Sequence, residues 1–296
     1  MTTTNKLEHN LKKVNSPDNR EFNMEEIRNA VESMDKKNAP VEDGITGKIY
    51  EQTFETFSRF ITAMYNGCLR SAFFKRWKRA KLIPLVKPKK VSSEYILKYR
   101  PLSILNIVGK GLEEVLRNII NYRVYSTDFM NNNLYGFTQQ KCSTDVAIAV
   151  NCFVEGLKAG FVLVLVSLDV KGAIVGAWWP SILKCLQACG CPKNLYNITK
   201  SYFRQSTVIL STDSVRMKTE IGREFHQVSC CDPGFWNIQY NSLLNLTFTR
   251  RTKAVAFADD LILVIRGKIV SEAETITNLE MNKITAWAKS NKINIG

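Results

Sequence analysis

The sequence has few acidic residues for its length, and it lacks any long hydrophobic run. Its 296 residues include 41 lysines and arginines but only 27 aspartates and glutamates, so the formal net charge is +14 at pH 7. This surplus of positive charge favours polyanionic partners such as nucleic acids. No apolar stretch approaches the roughly 20 residues of a membrane-spanning helix, and the polar residues 1–13 lack the apolar core of a signal peptide. We therefore expect an intracellular protein, nuclear or cytoplasmic, without a membrane partner.

The eight cysteines form neither a disulfide framework nor a zinc site. None of them belongs to a Cys-x-x-Cys pair, which is the spacing that structural zinc sites favour. We expect free, buried thiols in a reducing compartment. With 45% hydrophobic residues, the chain is long enough to bury a core in one large domain or in two lobes.

The apolar periodicity predicts helices and strands in mixed order, which indicates an α+β fold. Residues 1–22 are polar and are predicted to be disordered. Asn23 is a candidate helix cap, with Glu26 placed to complete a capping box. The predicted helices span residues 23–36, 46–69, 104–125, 143–159, 178–190, 193–205, 234–246 and 270–290. The predicted strands span residues 81–86, 161–168, 208–210, 215–217, 253–257 and 261–265.

Two adjacent acids, Asp259 and Asp260, lie between the last two predicted strands. They should therefore sit at the tip of a β-hairpin. Adjacent carboxylates repel each other, and a divalent cation with a preference for hard oxygen ligands, such as Mg²⁺, removes that cost. An Asp-Asp pair is also a common polar turn, because Asp tolerates turn geometry. Both interpretations stay open for the pair alone.

A further acid, Asp169, ends the run at 161–168, which is typical of a strand buried on both faces. A single Asp at a strand end is most often a turn former or a helix cap. Here 90 positions separate Asp169 from Asp259, enough chain to bring two strands side by side in one sheet. One carboxylate from a central strand and a pair from a hairpin tip make a site for two-metal phosphoryl transfer.

Residues 73–90 are strongly basic. They contain eight lysines and arginines, no acid, and the aromatic residues Phe73, Phe74 and Trp77. Such a run can be a solvated basic face over the buried strand at 81–86. It is also typical of a surface that binds nucleic-acid phosphates.

These motifs follow one another in the order found in the reverse transcriptases of non-LTR (LINE-type) retrotransposons, which the chain resembles over residues 24–296. The resemblance is to insect-type elements. The matching segments are Asn38–Ile45, Trp77-Lys78, Leu85–Pro88, Tyr99–Leu105 with Gly109-Lys110 and Glu113, Tyr135–Phe137 with Ser143-Thr144, Leu168–Ala173 with Ala177–Pro180, Pro233–Leu244 and Phe257–Asp260. Eight such motifs in the right order are far more specific than any one of them.

The resemblance implies a reverse-transcriptase-like architecture of fingers and palm, with a short antiparallel palm sheet backed by helices. Fingers and their supporting helices are expected at 23–160, and the palm at 161–296. The family's thumb, its endonuclease domain and an RNase H domain are expected to be absent from this stretch. The lysine that is thought to protonate pyrophosphate in the family would lie beyond Gly296.

The resemblance also assigns roles to individual residues. The catalytic residues would be Asp169, Asp259 and Asp260, with Asp260 the weaker or more distant ligand. Two Mg²⁺ ions, replaceable by Mn²⁺, would be held by these acids and by the carbonyl of Val170. The partners implied are an RNA template, a DNA primer or RNA–DNA hybrid, and dNTPs.

Four further positions match the family's nucleotide-binding residues: Lys87, Arg100, Ile174 and Gln227. Lys87 and Arg100 would hold the incoming triphosphate, Ile174 would lie beneath its sugar, and Gln227 would pack near the base or template. Arg100 could instead form a structural salt bridge, and Gln227 could be an ordinary surface-loop residue.

Several positions depart from the family pattern. Val41 replaces a turn glycine, Ile174 and Val175 replace a Phe and a second Asp, and Val228 and Asp232 replace glycines. Glycine at such places permits positive φ or a close approach of backbone to ligand, both of which a larger side chain opposes. The alternative functions are therefore a non-catalytic nucleic-acid-binding relic and a domesticated fragment of such a polymerase. A cellular relative such as an intron-type maturase is disfavoured by the segments Ala177–Pro180 and Trp236–Asn241.

Overall fold

The computed structural model describes residues 19–37, 40–41, 43–86, 99–127, 129–138, 140–155, 160–170, 177–211, 216–221 and 231–295. The helices in this part are α1 (Met24–Ser33), α2 (Gly47–Arg70), α3 (Ile107–Tyr125), α4 (Ser143–Glu155), α5 (Trp179–Ala188), α6 (Lys193–Tyr202), α7 (Asp232–Leu244) and α8 (Val270–Asn291). The strands are β1 (Arg79–Val86), β2 (Tyr99–Ile104), β3 (Val162–Asp169), β4 (Ser206–Ser211), β5 (Arg216–Ile221), β6 (Thr252–Phe257) and β7 (Asp260–Gly267). The mixed α+β composition predicted from the sequence is confirmed.

The chain folds into two compact units, and each unit draws on two stretches of sequence. The first unit comprises residues 1–123 and 186–232, and the second comprises residues 124–185 and 233–296. The predicted division into fingers and palm between residues 160 and 161 stays a prediction, and the grouping into compact units differs from it. The reason is that β4 pairs with β1 and β5 pairs with β4, so that both later strands join the first unit.

The first unit contains a four-stranded sheet in the order β2-β1-β4-β5. β1 runs antiparallel to β2, with Lys81 opposite Ile104, and parallel to β4, with Arg79 opposite Thr207. β4 and β5 form an antiparallel pair. Their turn, residues 212–215, lies outside the described residues.

Helix α1 begins at the predicted cap. The Asn23 side chain accepts a hydrogen bond from the backbone N–H of Glu26, and the Glu26 carboxylate accepts one from the N–H of Asn23. Just before the cap, Phe22 is buried, and its backbone N–H and C=O are both bonded to the Asn66 side chain of α2. The disordered tail predicted for residues 1–22 is thus wrong at its C-terminal end, because Phe22 belongs to the folded unit. Residues 1–18 lie outside the described residues.

The second unit contains a three-stranded antiparallel sheet in the order β3-β7-β6. Helix α8 packs against β7 and β3, and helix α4 packs against β6. Among the described strands β7 is central and β3 lies at an edge. Beyond the end of β3, Val170 forms an isolated antiparallel bridge with Ile295.

The predicted burial of β3 on both faces is wrong. Exposure alternates along the strand, and Leu165 is 65% exposed. The physical reason is the extent of the helical cover on that face. The Arg266 guanidinium, opposite Leu163, lies 5.3 Å from the Phe153 ring of α4, so α4 covers β6 and β7 on this side and leaves the outer residues of β3 exposed.

Two smaller predictions concern cysteines and membrane spans. No disulfide links the cysteines of the described residues, but Cys142 and Cys152 are exposed, so the prediction of buried thiols is wrong for these two. None of the helices that the structure describes is both long and apolar enough to cross a bilayer.

Candidate active site

The two adjacent acids lie where the sequence pattern predicted them, at the tip of the β6–β7 hairpin. Phe257 pairs with Asp260, so Ala258 and Asp259 form a two-residue turn. Ala258 has φ +54°, a conformation that tight hairpin turns require and that residues with a Cβ rarely adopt. Asp259 therefore occupies the turn itself, and Asp260 is the first residue of β7.

The register of β3 against β7 brings the third acid to the same end of the sheet. Asp169 lies directly opposite Asp260 in the antiparallel pairing, and the α-carbons of residues paired in this way are about 5 Å apart. All three aspartates are exposed to solvent. The expected approach of strands that are 90 positions apart in sequence is confirmed.

The three carboxylates interact electrostatically. Partial burial, followed by the negative charges of Asp259 and Asp169, raises the pKa of the Asp260 carboxyl. Burial and the same three acids raise the pKa of the neighbouring Tyr240 hydroxyl. The negative charges of the acidic cluster thus repel one another, and a bound cation would relieve that repulsion.

The side chains, as they stand, do not form a closed metal cage. Across the described stretches of the chain, no group of three or more His, Cys, Asp or Glu side chains is arranged to hold one metal ion. The acids are positioned by their strands, whose register places them at one sheet end. Val170, whose carbonyl was predicted to be a metal ligand, has a buried side chain and lies next to Asp169.

The acidic turn is supported by residues that sequence reasoning did not identify as functional. The Trp236 indole N–H of helix α7 donates to the Ala258 carbonyl at 2.9 Å, and the Tyr240 hydroxyl lies 3.4 Å from the Asp259 carbonyl oxygen. Trp236 and Tyr240 stack with ring centroids 4.9 Å apart. The spacing of two aromatic residues four positions apart on one helix was the available signal, because such residues share a helix face.

A loop from residues 131–138 contacts the hairpin from another side. The Tyr135 N–H donates to the Ala256 carbonyl, and the Ala256 N–H donates to the Asn133 carbonyl, both at 2.9 Å. A Cβ added to Gly136 would lie only 1.9 Å from the backbone nitrogen of Ala258. The loop backbone therefore approaches the turn more closely than any residue other than glycine permits.

The predicted nucleotide-binding residues are not brought together by the described part of the structure. Lys87, Ile174 and Gln227 lie outside the described residues. Arg100 lies in β2 with its backbone opposite Leu85. The roles of these four residues remain predictions.

The basic segment belongs to the first unit, and most of its described cations face solvent. Arg76, Arg79 and Lys81 line a cavity of about 230 Å³, and the acidic Asp43 also lines it. Lys78 is the exception: it is buried and donates to the carbonyls of Ser201 and Arg204 at 2.8 and 2.7 Å. The described basic face is thus solvated, but the predicted burial of the strand at 81–86 is wrong, because Leu85 and Val86 are 48% and 42% exposed.

The aromatic residues of the basic segment divide between core and surface. Phe73 is buried and packs edge-on against Tyr202, Trp77 is half-buried, and Phe74 is 57% exposed. Only Phe74 of the three is therefore broadly available for stacking with a base.

Comparison with known proteins agrees with the site. Residues 87–296 match the family model described as reverse transcriptase (RNA-dependent DNA polymerase). The chain is 25% identical over 280 residues to a Retrovirus-related Pol polyprotein from type-1 retrotransposable element R1 of Bradysia coprophila, covering 94% of this chain and 28% of that protein. It is 22% identical over 280 residues to the RNA-directed DNA polymerase from mobile element jockey of Drosophila melanogaster, covering 92% of this chain and 30% of the relative.

The Probable RNA-directed DNA polymerase from transposon BS of the same fly is 22% identical over 277 residues, which cover 90% of this chain and 30% of that protein. The chain therefore spans less than a third of the length of these relatives. The family model, in contrast, covers well over half of the chain and includes the strands that carry all three aspartates. This chain belongs to the reverse transcriptase (RNA-dependent DNA polymerase) family and is similar to the polymerases of insect non-LTR retrotransposons.

Proposed function

We propose that this chain carries the polymerase active site of a non-LTR retrotransposon protein and copies RNA into DNA. The observation that supports this proposal most strongly is the register that sets Asp169 opposite Asp260, the residue that follows Asp259. The proposed partners are an RNA template, a DNA primer or RNA–DNA hybrid, and dNTPs.

In this proposal the three carboxylates and the Val170 carbonyl hold two Mg²⁺ ions, or Mn²⁺ in their place. The donor set fits, because hard oxygen ligands suit Mg²⁺. Burial, followed by the negative charges of Asp259 and Asp169, raises the pKa of the Asp260 carboxyl, and a cation would relieve the part that comes from those charges. When bound, such a metal pair lowers the pKa of the primer 3′-hydroxyl and neutralises charge on the triphosphate.

The remaining roles fall to residues outside the acidic cluster. Lys87 and Arg100 would orient the triphosphate, and orientation is a large share of catalysis in phosphoryl transfer. Ile174 would contact the sugar, and Gln227 would contact the base or template. The exposed cations Arg76, Arg79 and Lys81 would bind phosphates of the nucleic acid.

Primer extension on an RNA template with Mg²⁺ or Mn²⁺ tests the proposal. Asp169→Asn and Asp259→Asn should each reduce extension at least about 100-fold, because each removes a charged metal ligand. Glu274→Gln, at an exposed position of α8, is the matched control for the loss of one carboxylate and should extend like the unmodified chain. Extension that survives both aspartate substitutions would refute the proposed active site.

A non-catalytic nucleic-acid-binding relic is the second candidate. The substitutions Ile174, Val175 and Val228 favour it, because they alter the sequence around the nucleotide while the acids remain. Salt-dependent binding of RNA–DNA hybrid without any metal-dependent extension would support the relic over the polymerase.

A further inference from the structure

The turn that carries Asp259 is strained and is held by its surroundings. Ala258 has φ +54° although it carries a Cβ. A residue in this region is disfavoured and persists only where neighbouring groups determine its conformation. Ala258 directly precedes Asp259 in the chain. A contact that fixes the backbone of Ala258 therefore also fixes the position from which the Asp259 side chain extends.

The group that fixes Ala258 from the helix side is Trp236. Its indole N–H donates to the Ala258 carbonyl at 2.9 Å, and the residue is fully buried at 0% exposure. The ring stacks on Tyr240, whose hydroxyl lies 3.4 Å from the next carbonyl oxygen along the turn, that of Asp259. A buried indole that is locked by stacking offers its single donor in a fixed direction.

A second close contact with the turn comes from Gly136, and the residue after Trp236 in helix α7 bonds to Gly136. A Cβ on Gly136 would lie 1.9 Å from the Ala258 nitrogen and 2.5 Å from its α-carbon. The Asn237 side-chain amide donates to the Gly136 carbonyl at 2.9 Å. Two consecutive residues, Trp236 and Asn237, thus anchor the turn and the loop that packs against it.

We propose that Trp236 is a positioning residue for the Asp259–Asp260 turn, with Gly136 as a second support. The inference rests on the proposed metal-dependent function and deepens it. Groups that orient metal-binding carboxylates typically affect metal affinity by 10- to 100-fold when they are removed. The indole N–H of Trp236 acts on the acids through the Ala258 carbonyl.

Mn²⁺ binding, measured by loss of the free-ion signal in electron paramagnetic resonance, tests this role without any need for polymerisation. Trp236→Phe removes the donor and part of the ring. Trp287→Phe is the matched control: Trp287 is also buried, lies in the same unit, and packs edge-on against the same Tyr240 ring with centroids 6.1 Å apart, a contact that Phe can keep. Its indole N–H donates at 2.9 Å to the Ser242 hydroxyl instead of the turn. Trp236→Phe should weaken Mn²⁺ binding about 10-fold, whereas Trp287→Phe should leave it unchanged at comparable thermal stability.

Asp259→Asn separates failure of the positioning role from failure of the proposed function. If the unmodified chain binds Mn²⁺ and Asp259→Asn loses it, the metal site exists. If the Trp236→Phe variant then binds Mn²⁺ as tightly as the Trp287→Phe variant, the positioning role is overturned, but the proposed metal site is not. If Asp259→Asn binds as well as the unmodified chain, the metal site and the positioning role both fail.

Discussion

At the scale of single residues, burial decides which cations of the basic segment can act on a ligand. Arg76, Arg79 and Lys81 are exposed, whereas Lys78 is enclosed and bonded to two backbone carbonyls. Burial, with a smaller contribution from the charge of Lys75, lowers the pKa of the Lys78 ammonium to about 8. Lys78 is therefore a structural residue of the first unit, and its protonation affects folding.

The sign of that effect can be worked out from the two pKa values. In the unfolded chain the Lys78 amine has its ordinary pKa of 10.5, and in the folded chain the value is about 8. Between these values the unfolded state binds more protons, so stability should rise with pH. Below pH 8 the amine is charged in both states, and the cost of burying the charge is fully present.

We expect the free energy of unfolding of the unmodified chain to increase between pH 8 and 10.5 relative to that of Lys78→Met. Denaturant unfolding at pH 7.5 and 10, under reducing conditions, measures the difference. Lys48→Met, at an exposed position of α2, controls for the loss of a lysine from the chain. If the free energy of unfolding of the unmodified chain, minus that of Lys78→Met, stays constant or decreases between pH 7.5 and 10, the lowered pKa of Lys78 is contradicted.

At the scale of elements, strand β3 combines a fixed register with uneven burial. Its pairing with β7 places Asp169 at the site, yet its residues alternate between covered and exposed. Leu165 is 65% exposed, whereas Leu263 in the neighbouring strand is fully buried. The two residues are both leucines of the same sheet, but they differ in burial, and burial determines how much each contributes to the stability of the fold.

Leu165→Ala should change the free energy of unfolding by less than about 0.5 kcal/mol, as is usual for surface substitutions. Leu263→Ala should cost about 2–5 kcal/mol, because it removes buried methyl groups and leaves a cavity. Denaturant unfolding of the two variants measures both values. A large loss in Leu165→Ala would mean that β3 is covered on both faces after all.

The sequence predicted the helices and strands better than the contacts between them. The hairpin of Asp259 and Asp260 followed from two apolar runs separated by a short polar turn, a local pattern that fixes its own geometry. The parallel pairing of Arg79 with Thr207 was not predicted, because strands more than 120 positions apart leave no local signal. Which face of β3 stays exposed was equally hidden, since it depends on which strands α4 packs against.

In the candidate site, too, local features could be predicted and contacts between distant segments could not. The meeting of Asp169 with the acidic pair was predictable, because each acid terminates or joins a recognisable strand. The bond from Trp236 to the Ala258 carbonyl was not, because a side-chain hydrogen bond depends on the packing of a distant helix against the turn. The close approach of Gly136 is of the same kind.

At the scale of the whole molecule, the net charge of +14 leaves open how nucleic acid would be bound. Uniform attraction to a basic protein and specific contact with one basic surface both depend on salt. In uniform attraction, removing a positive charge weakens binding equally wherever the charge lies, whereas in specific contact only charges on the binding surface matter. The surface of Arg76, Arg79 and Lys81 around one cavity provides the specific alternative.

Replacing Arg76, Arg79 and Lys81 together by Gln should weaken binding of single-stranded RNA and flatten its salt dependence. The slope of log K against log salt is negative, and its magnitude should decrease by about 2, since each phosphate contact on a single strand contributes about 0.7. Lys184, Lys193 and Lys289, all exposed, form the control triple: their replacement by Gln also lowers the formal charge by 3, from +14 to +11. Titrations at several salt concentrations give both slopes. Equal slopes for the two triple variants would mean that net charge alone attracts the nucleic acid, and the basic surface would then have no specific role.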